Sequence, residues 1–202
     1  ETAPDEQFTA GGNDVDATAH AGVDTNVDGG TNAGVAENAN TSSAEATVVE
    51  TIVISSPITG LAADLSTTPD EAFAGKMMGD GAVVTPEDSV VRAPEDGEVC
   101  FVFETKHAIG FLTDSGVSLL IHMGIDTVAL NGEGFEVFVK NGQKVKKGEP
   151  LLGLNLDYLK ENAPSLASPV LCTELEDNQK VRLLKDGQIK AGEALFAIDI
   201  YE

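Results

Sequence analysis

The 202-residue chain has no tryptophan, two tyrosines and eight phenylalanines, so aromatic packing cannot dominate its core. Basic residues are also scarce. Twelve Lys and Arg stand against 34 Asp and Glu, a formal net charge of -22. That balance argues against nucleic acid as a partner, because binding there depends on cations that neutralise phosphates. An anionic membrane surface would repel the chain, whereas a basic protein partner would suit it. The two cysteines, Cys100 and Cys172, are too few and too widely spaced for a disulfide framework or a zinc ribbon. They are read as reduced, packed thiols, in keeping with a reducing compartment. No run approaches 18 apolar residues, so no membrane-spanning helix is predicted, and no secretory signal is visible. The chain begins at Glu1, which is read as a processed or trimmed chain or a piece cut from a longer protein.

What the chain does have is 42% hydrophobic residues and 21 glycines, a composition suited to strands and turns. Residues 1–50 differ from the rest, with ten acidic residues, no Lys or Arg, and many Ala, Gly, Asn and Thr. Too little apolar surface is available there to offset the entropy of ordering. The segment is expected to be a disordered acidic linker with a reach of about 40 Å, leaving one folded domain over 51–202. In that domain TIVISSPITG opens with a β-branched run, and VVRAPEDGEVCFVFE sets a Pro-Glu-Asp-Gly turn between two strands. Short helical turns are expected near Pro69–Ala74 and Leu156–Asn162. GQKVKKGEPLLGL (142–154) recurs as GQIKAGEALFAI (187–198), one residue shorter. This repeat predicts two similar β-substructures packed together.

The most informative stretch is KHAIGFLTDSGVSLLIHMG, 106–124. Two apolar strands flank a turn-prone Thr113-Asp114-Ser115-Gly116. A hairpin loop of two or four residues puts His107 directly opposite His122, with Cβ atoms about 4.5–5.5 Å apart. A loop of three or five residues would break that register. In the two- or four-residue case one face carries Thr105, His107, Ile109, Phe111, Ser118, Leu120 and His122. The other carries Ala108, Gly110, Leu112, Val117, Leu119 and Ile121 and should be core. A histidine pair in an apolar patch fits three readings. One is phosphoryl transfer through a phosphohistidine, one imidazole attacking while the other stabilises charge. The second is zinc, although catalytic zinc generally takes three protein ligands and no third is evident beyond a carboxylate such as Asp126. The third is a packed pair with no chemistry.

LLIHMGIDTVALNGEGF, with the upstream TKHAIGF, closely resembles the glucose-family enzyme IIA domain of the bacterial phosphoenolpyruvate:sugar phosphotransferase system. The resemblance runs from about Pro57 to Ala197 and includes SPITG, FAGKMMGDG and RAPEDGEV. It implies an all-β fold, an antiparallel β-sandwich with a duplicated hybrid motif. It implies a phosphocarrier in which His122 is phosphorylated, His107 supports the phosphoryl group and Thr105 hydrogen-bonds in the site. Phosphate would come from the carrier protein HPr and pass to a cysteine of a IIB domain. Phe73, Met77, Met78, Phe103, Leu120 and Val128 match the family's apolar docking rim, and Asp70 and Asp126 match acidic positions that face HPr. Methionines at 77 and 78 and Leu120 depart from the commoner residues. For Asp126, bonding backbone within its turn is the alternative role. The acidic tail fits a IIA domain tethered to IIB and IIC parts of one polypeptide, at the cytoplasmic face of the membrane. No cofactor is expected; zinc bridging His107 and His122 would be regulatory. A biotinyl or lipoyl carrier, with Lys76 as its only superficial match, and a zinc metallopeptidase are the competing classes.

Overall fold

The computed structural model describes residues 46–202. The expected linker thus lies outside the described residues as far as position 45. Its last residues belong to the domain instead. Strand β1 (Val48–Ser55) begins at Val48 and pairs with the final strand, Val48 lying opposite Tyr201. The β-branched run Val48, Val49, Thr51, Ile52, Val53 and Ile54 favours this extended backbone.

Among the described residues thirteen further strands follow in chain order. They are β2 (Gly60–Asp64), β3 (Asp80–Pro86), β4 (Val90–Arg92), β5 (Gly97–Val102), β6 (Ala108–Thr113), β7 (Ser118–His122) and β8 (Phe135–Val137). Then come β9 (Gln143–Val145), β10 (Pro150–Leu154), β11 (Ser168–Cys172), β12 (Gln179–Leu183), β13 (Gly187–Ile189) and β14 (Ala194–Tyr201). The two expected helical turns are present as α1 (Glu71–Ala74) and α2 (Leu156–Asn162). Among the described residues all the strand pairings are antiparallel.

The sheets reveal the duplication. The eight-stranded sheet runs β13-β2-β3-β11-β7-β6-β5-β9, and two three-stranded sheets run β1-β14-β12 and β4-β10-β8. Exchanging β1, β2, β3 for β4, β5, β6 and β11–β14 for β7–β10 maps each sheet order onto another or onto itself. One motif, β4 to β10, is therefore continuous in the chain and is inserted between β3 and β11 of the other. The hydrogen bonds repeat in detail. Gly192 donates to Ser56 O and Gly148 to Ala93 O, each at 2.8 Å. The amide of Lys190 donates to the Glu193 carboxylate and that of Lys146 to the Glu149 carboxylate. Ile189 lies opposite Gly60 and Val145 opposite Gly97. These pairings align Gln143 with Gly187, so the two Gly-Gln pairs that suggest the repeat are themselves one residue out of step.

One core cluster draws from all three sheets, with Ile54 and Phe196, Val91 and Leu152, and Phe111 and Ile121 among its buried members. Burying each such side chain stabilises the fold by about 1.5–3 kcal/mol. A second, smaller cluster of Leu65, Phe73, Ala108, Leu120, Ile125 and Leu171 is the floor of the histidine site.

Candidate functional site

The hairpin that carries the histidines is displaced by one residue from the expected register. Its loop has three residues, Asp114, Ser115 and Gly116. The Thr113 amide donates to Val117 O at 3.0 Å, and Gly116 adopts φ +87°. Glycine takes this left-handed backbone without a Cβ penalty, which allows the odd-numbered loop. Ala108 therefore faces His122, and Ile109 faces Ile121. One face holds Ala108, Gly110, Leu112, Ser118, Leu120 and His122. Ile109 and Phe111 turn with Leu119 and Ile121 into the main core. The faces predicted for β7 hold, whereas those predicted for β6 are exchanged, because a one-residue slip flips every side chain.

His107 nevertheless meets His122, because it lies outside the ladder. Before β6 the chain turns sharply through Phe103–Lys106, with the Lys106 amide donating to Phe103 O at 2.8 Å and Lys106 at φ +58°. The His107 carbonyl accepts from the Met123 amide at 2.8 Å, just beyond the end of β7. The rings come together edge to face, with centroids 4.8 Å apart and an interplanar angle of 80°. His107 is only 4% exposed, and His122 is partly open.

The ring nitrogens have defined partners. His107 Nδ1 lies 2.7 Å from Thr105 Oγ1. His122 Nδ1 lies 2.9 Å from the carbonyl oxygen of Gly124. A carbonyl only accepts, so Nδ1 carries the proton and the lone pair of neutral His122 resides on Nε2. Burial pushes His122 down to about 4, helped by the neighbouring His107 and opposed by the Gly124 carbonyl, Asp70 and Asp126. Burial also lowers His107 below its ordinary value. Both rings are thus neutral near pH 7, as a nucleophilic imidazole requires.

Around the pair, Phe73 packs 5.0 Å from His122 and Phe103 packs 5.2 Å from His107, centroid to centroid. Among the residues expected at the docking rim, Met77, Met78, Phe103 and Val128 are exposed, Met77 by 73%. Phe73 and Leu120 are 7% and 6% exposed, so they form the floor rather than the rim. Asp70 is the N-cap of α1, its carboxylate accepting from the amides of Ala72 and Phe73. Asp126 is exposed in left-handed backbone at φ +57°, and its side chain caps nothing. The turn-bonding alternative therefore does not describe it.

Sequence reasoning missed Phe101, 43% exposed and 5.3 Å edge-on from Phe103, which extends the apolar rim. Gly110 was the available signal. A Cβ there would come within 2.2 Å of the Phe101 ring, so this glycine gives the ring its seat. The Gly124 carbonyl was also missed, since backbone groups leave no mark on residue type. Among the described residues no group of three or more His, Cys, Asp or Glu is placed to hold a metal ion.

Comparison with known proteins converges on one family. The pattern of the phosphoenolpyruvate-dependent sugar phosphotransferase system EIIA 1 family matches residues 52–178. The glucoside-specific EIICBA component of the phosphotransferase system from Staphylococcus carnosus (strain TM300) is 42% identical over 165 residues, covering 82% of this chain and 24% of that protein. The N-acetylglucosamine-specific EIICBA component from Klebsiella pneumoniae is 47% identical over 150 residues, covering 74% of this chain and 23% of that protein. The chain thus aligns with about a quarter of the length of these curated relatives. The solved structure of the glucose permease IIA from Mycoplasma capricolum aligns with a TM-score of 0.68 at 34% identity, over 73% of this chain and 96% of that one. With its antiparallel sheets, duplicated motif and paired histidines, this chain belongs to the glucose-type EIIA family of the phosphoenolpyruvate-dependent sugar phosphotransferase system.

Proposed function

We propose that the domain is a phosphocarrier that accepts a phosphoryl group on Nε2 of His122 from the phosphohistidine of HPr and passes it to a cysteine of a IIB domain. The observation that carries this reading is the His122 Nδ1–H bond to the Gly124 carbonyl, which leaves an unprotonated Nε2 beside a second neutral imidazole. In the first step the Nε2 lone pair forms a new N–P bond. The donor's N–P bond breaks, and its electron pair returns to the donor imidazole. In the second step the cysteine thiolate forms an S–P bond, and the Nε2–P pair returns to His122.

Phosphoryl transfer of this kind relies on positioning and electrostatics. In this role Thr105 donates its hydroxyl proton to His107 Nδ1, so His107 presents Nε2–H to the phosphoryl oxygens. No cofactor is called for, since two imidazoles fall one short of the usual catalytic zinc set. Asp70 and Asp126 would repel a dianionic phosphoryl group, so their use is toward the partner. They complement basic residues of HPr and speed encounter. Met77, Met78, Phe103 and Val128 supply the apolar contact, and methionine adapts readily to more than one partner. The EIICBA organisation named for both curated relatives supports a IIA domain joined to IIB and IIC parts, held at the cytoplasmic face of the membrane.

The test is intact-mass analysis after incubation with phosphoenolpyruvate, enzyme I and HPr. Wild type should gain one acid-labile phosphoryl group and His122→Ala none. His107→Ala should accept the group but fail to hand it to a IIB domain. An unmodified wild type would end this reading.

A further inference from the structure

The Gly124 carbonyl determines which nitrogen of His122 is free, so whatever fixes that carbonyl also fixes the site's chemistry. Gly124 has no side chain to restrain it and sits at φ +74°. Its position is imposed from outside. The peptide linking Met123 to Gly124 is held at both of its polar ends by buried hydroxyls. Thr127 Oγ1 donates to Met123 O at 2.7 Å, and the Gly124 amide donates to Ser168 Oγ at 3.0 Å. Thr127 is 0% and Ser168 1% exposed. Ser168 Oγ in turn donates to Leu166 O at 2.8 Å, which aims its lone pairs at the Gly124 amide. The next peptide is held as well, since the Ile125 amide donates to Ser165 O at 2.9 Å. Its other polar end is the Gly124 carbonyl, which then points at His122 Nδ1. The methyl group of Thr127 closes the remaining space, where a Cβ at Gly124 would come within 2.6 Å of it.

We propose that Ser168, with Thr127 opposite it, is a positioning residue. By clamping the Met123–Gly124 peptide it holds His122 in the Nδ1–H tautomer and reserves Nε2 for phosphorus. Ser168 makes no hydrogen bond to either imidazole in this arrangement and acts through the backbone. It also comes from the other copy of the duplicated motif, as the first residue of β11, 46 positions beyond His122 in the chain. The nucleophile of one motif is thus oriented by a hydroxyl of the other. The kinetic consequence rests on the phosphocarrier reading; the tautomer itself does not.

The experiment is a long-range proton–nitrogen correlation of the histidine rings in nitrogen-15-labelled protein at neutral pH, which distinguishes Nδ1–H from Nε2–H. It is paired with the rate of phosphoryl acceptance from HPr and the phosphohistidine isomer formed. Wild type should show His122 wholly as Nδ1–H. Ser168→Ala should show a mixture of tautomers, accept phosphate about ten- to a hundredfold more slowly, and form some Nδ1-linked product. Thr127→Val keeps the shape and removes only the hydroxyl, so it should move the tautomer in the same direction if Ser168→Ala fails to fold. Thr127→Ser should restore the wild-type signature. His107, held by Thr105, should keep its own pattern throughout. Folded Ser168→Ala or Thr127→Val with His122 still wholly Nδ1–H would overturn the proposal, as would a wild-type His122 protonated on Nε2. A tautomer shift in protein that takes no phosphate would uphold the clamp and reject the carrier reading instead.

Discussion

The two copies of the motif share a frame and differ in one connection. In the discontinuous copy, β2 and β3 are joined by residues 65–79, which hold a 3-10 turn, α1, Asp70, Phe73, Met77 and Met78. In the continuous copy, β5 and β6 are joined by only 103–107, which hold Phe103, Thr105 and His107. The two connections leave corresponding strands and converge on His122. The pairings relate β7 to β11 about the opposed residues Ile121 and Val170. By the same relation His122, opposite Ala108, corresponds to Leu171, opposite Gly81. One copy places an imidazole at this position, and the other a leucine that is 0% exposed among Leu65, Phe73 and Leu120. A symmetric frame thus produces a single asymmetric site. One connection supplies a cover that buries Leu171, while the other is short enough to leave His122 partly open.

That asymmetry can be broken most severely at Leu171. Leu171→His puts a second imidazole at the related position but deep in an apolar cluster. It should destabilise the domain by about 2–4 kcal/mol in urea unfolding and gain no second phosphoryl group by intact mass. Acceptance of two phosphoryl groups would mean that the frame, not the connection, makes the site.

The equivalence of the copies is sharpened at Gly60 and Gly97. A Cβ at Gly60 would lie 2.0 Å from Thr85 O, and one at Gly97 would lie 2.2 Å from Leu112 O. Gly60→Ala and Gly97→Ala should each cost about 1–3 kcal/mol, similar to one another. A large difference in the denaturation midpoints would show that the two frames are not equally rigid.

The pH dependence separates His122 from its leucine counterpart. An unfolded histidine binds its proton near the ordinary value of about 6.5, whereas His122 in the fold does so at about 4. The unfolded chain therefore holds more protons between these values. The stability contributed by neutral His122 is complete above about pH 6.5 and is lost as pH falls toward about 4. His122→Gln should flatten this part of the stability profile, measured by urea unfolding at several pH values. An unchanged slope would refute the depressed titration.

The smallest effects are expected at Glu149 and Glu193, whose exposed carboxylates accept from the Lys146 and Lys190 amides in matching turns. Glu149→Gln and Glu193→Gln should lower the melting temperature slightly and equally, and by less than either glycine substitution. Unequal shifts would mean that the turns match in hydrogen bonding but not in energetics.

Much of this duplication was legible, because a turn with a left-handed glycine must recur where the backbone recurs. Gly148 and Gly192, at φ +87° and +89°, stand in both copies ahead of Glu149 and Glu193. The upstream half of the repeat, SSPITG against RAPEDG, was harder to see. Only Pro and Gly are shared, and Thr59 and Asp96 play one role with different groups. Thr59 accepts from the Ala191 amide through a hydroxyl, and Asp96 accepts from Lys147 through a carboxylate. The hairpin register was not legible either, because both two- and three-residue loops fit Thr-Asp-Ser-Gly. Only the backbone of Gly116 settles the choice. Leu120 was legible on the histidine face and Phe73 only through the family resemblance, both as docking rim rather than floor, since burial depends on what lies above them.

The sequence by itself determined which residue types the site contains and the strand-and-turn pattern that carries them. Two histidines, a hydroxyl and an acidic surround are set among β-branched runs broken by glycine turns, and residue type and spacing govern such features directly. Only the tertiary structure decided that His122 of one motif packs against Phe73 of the other, and that Gly124 of the first bonds Ser168 of the second. Those meetings depend on strand register and on backbone hydrogen bonds between segments far apart in the chain. A carbonyl, an amide and a one-residue slip are chemically the same at every position, so residue type does not encode them.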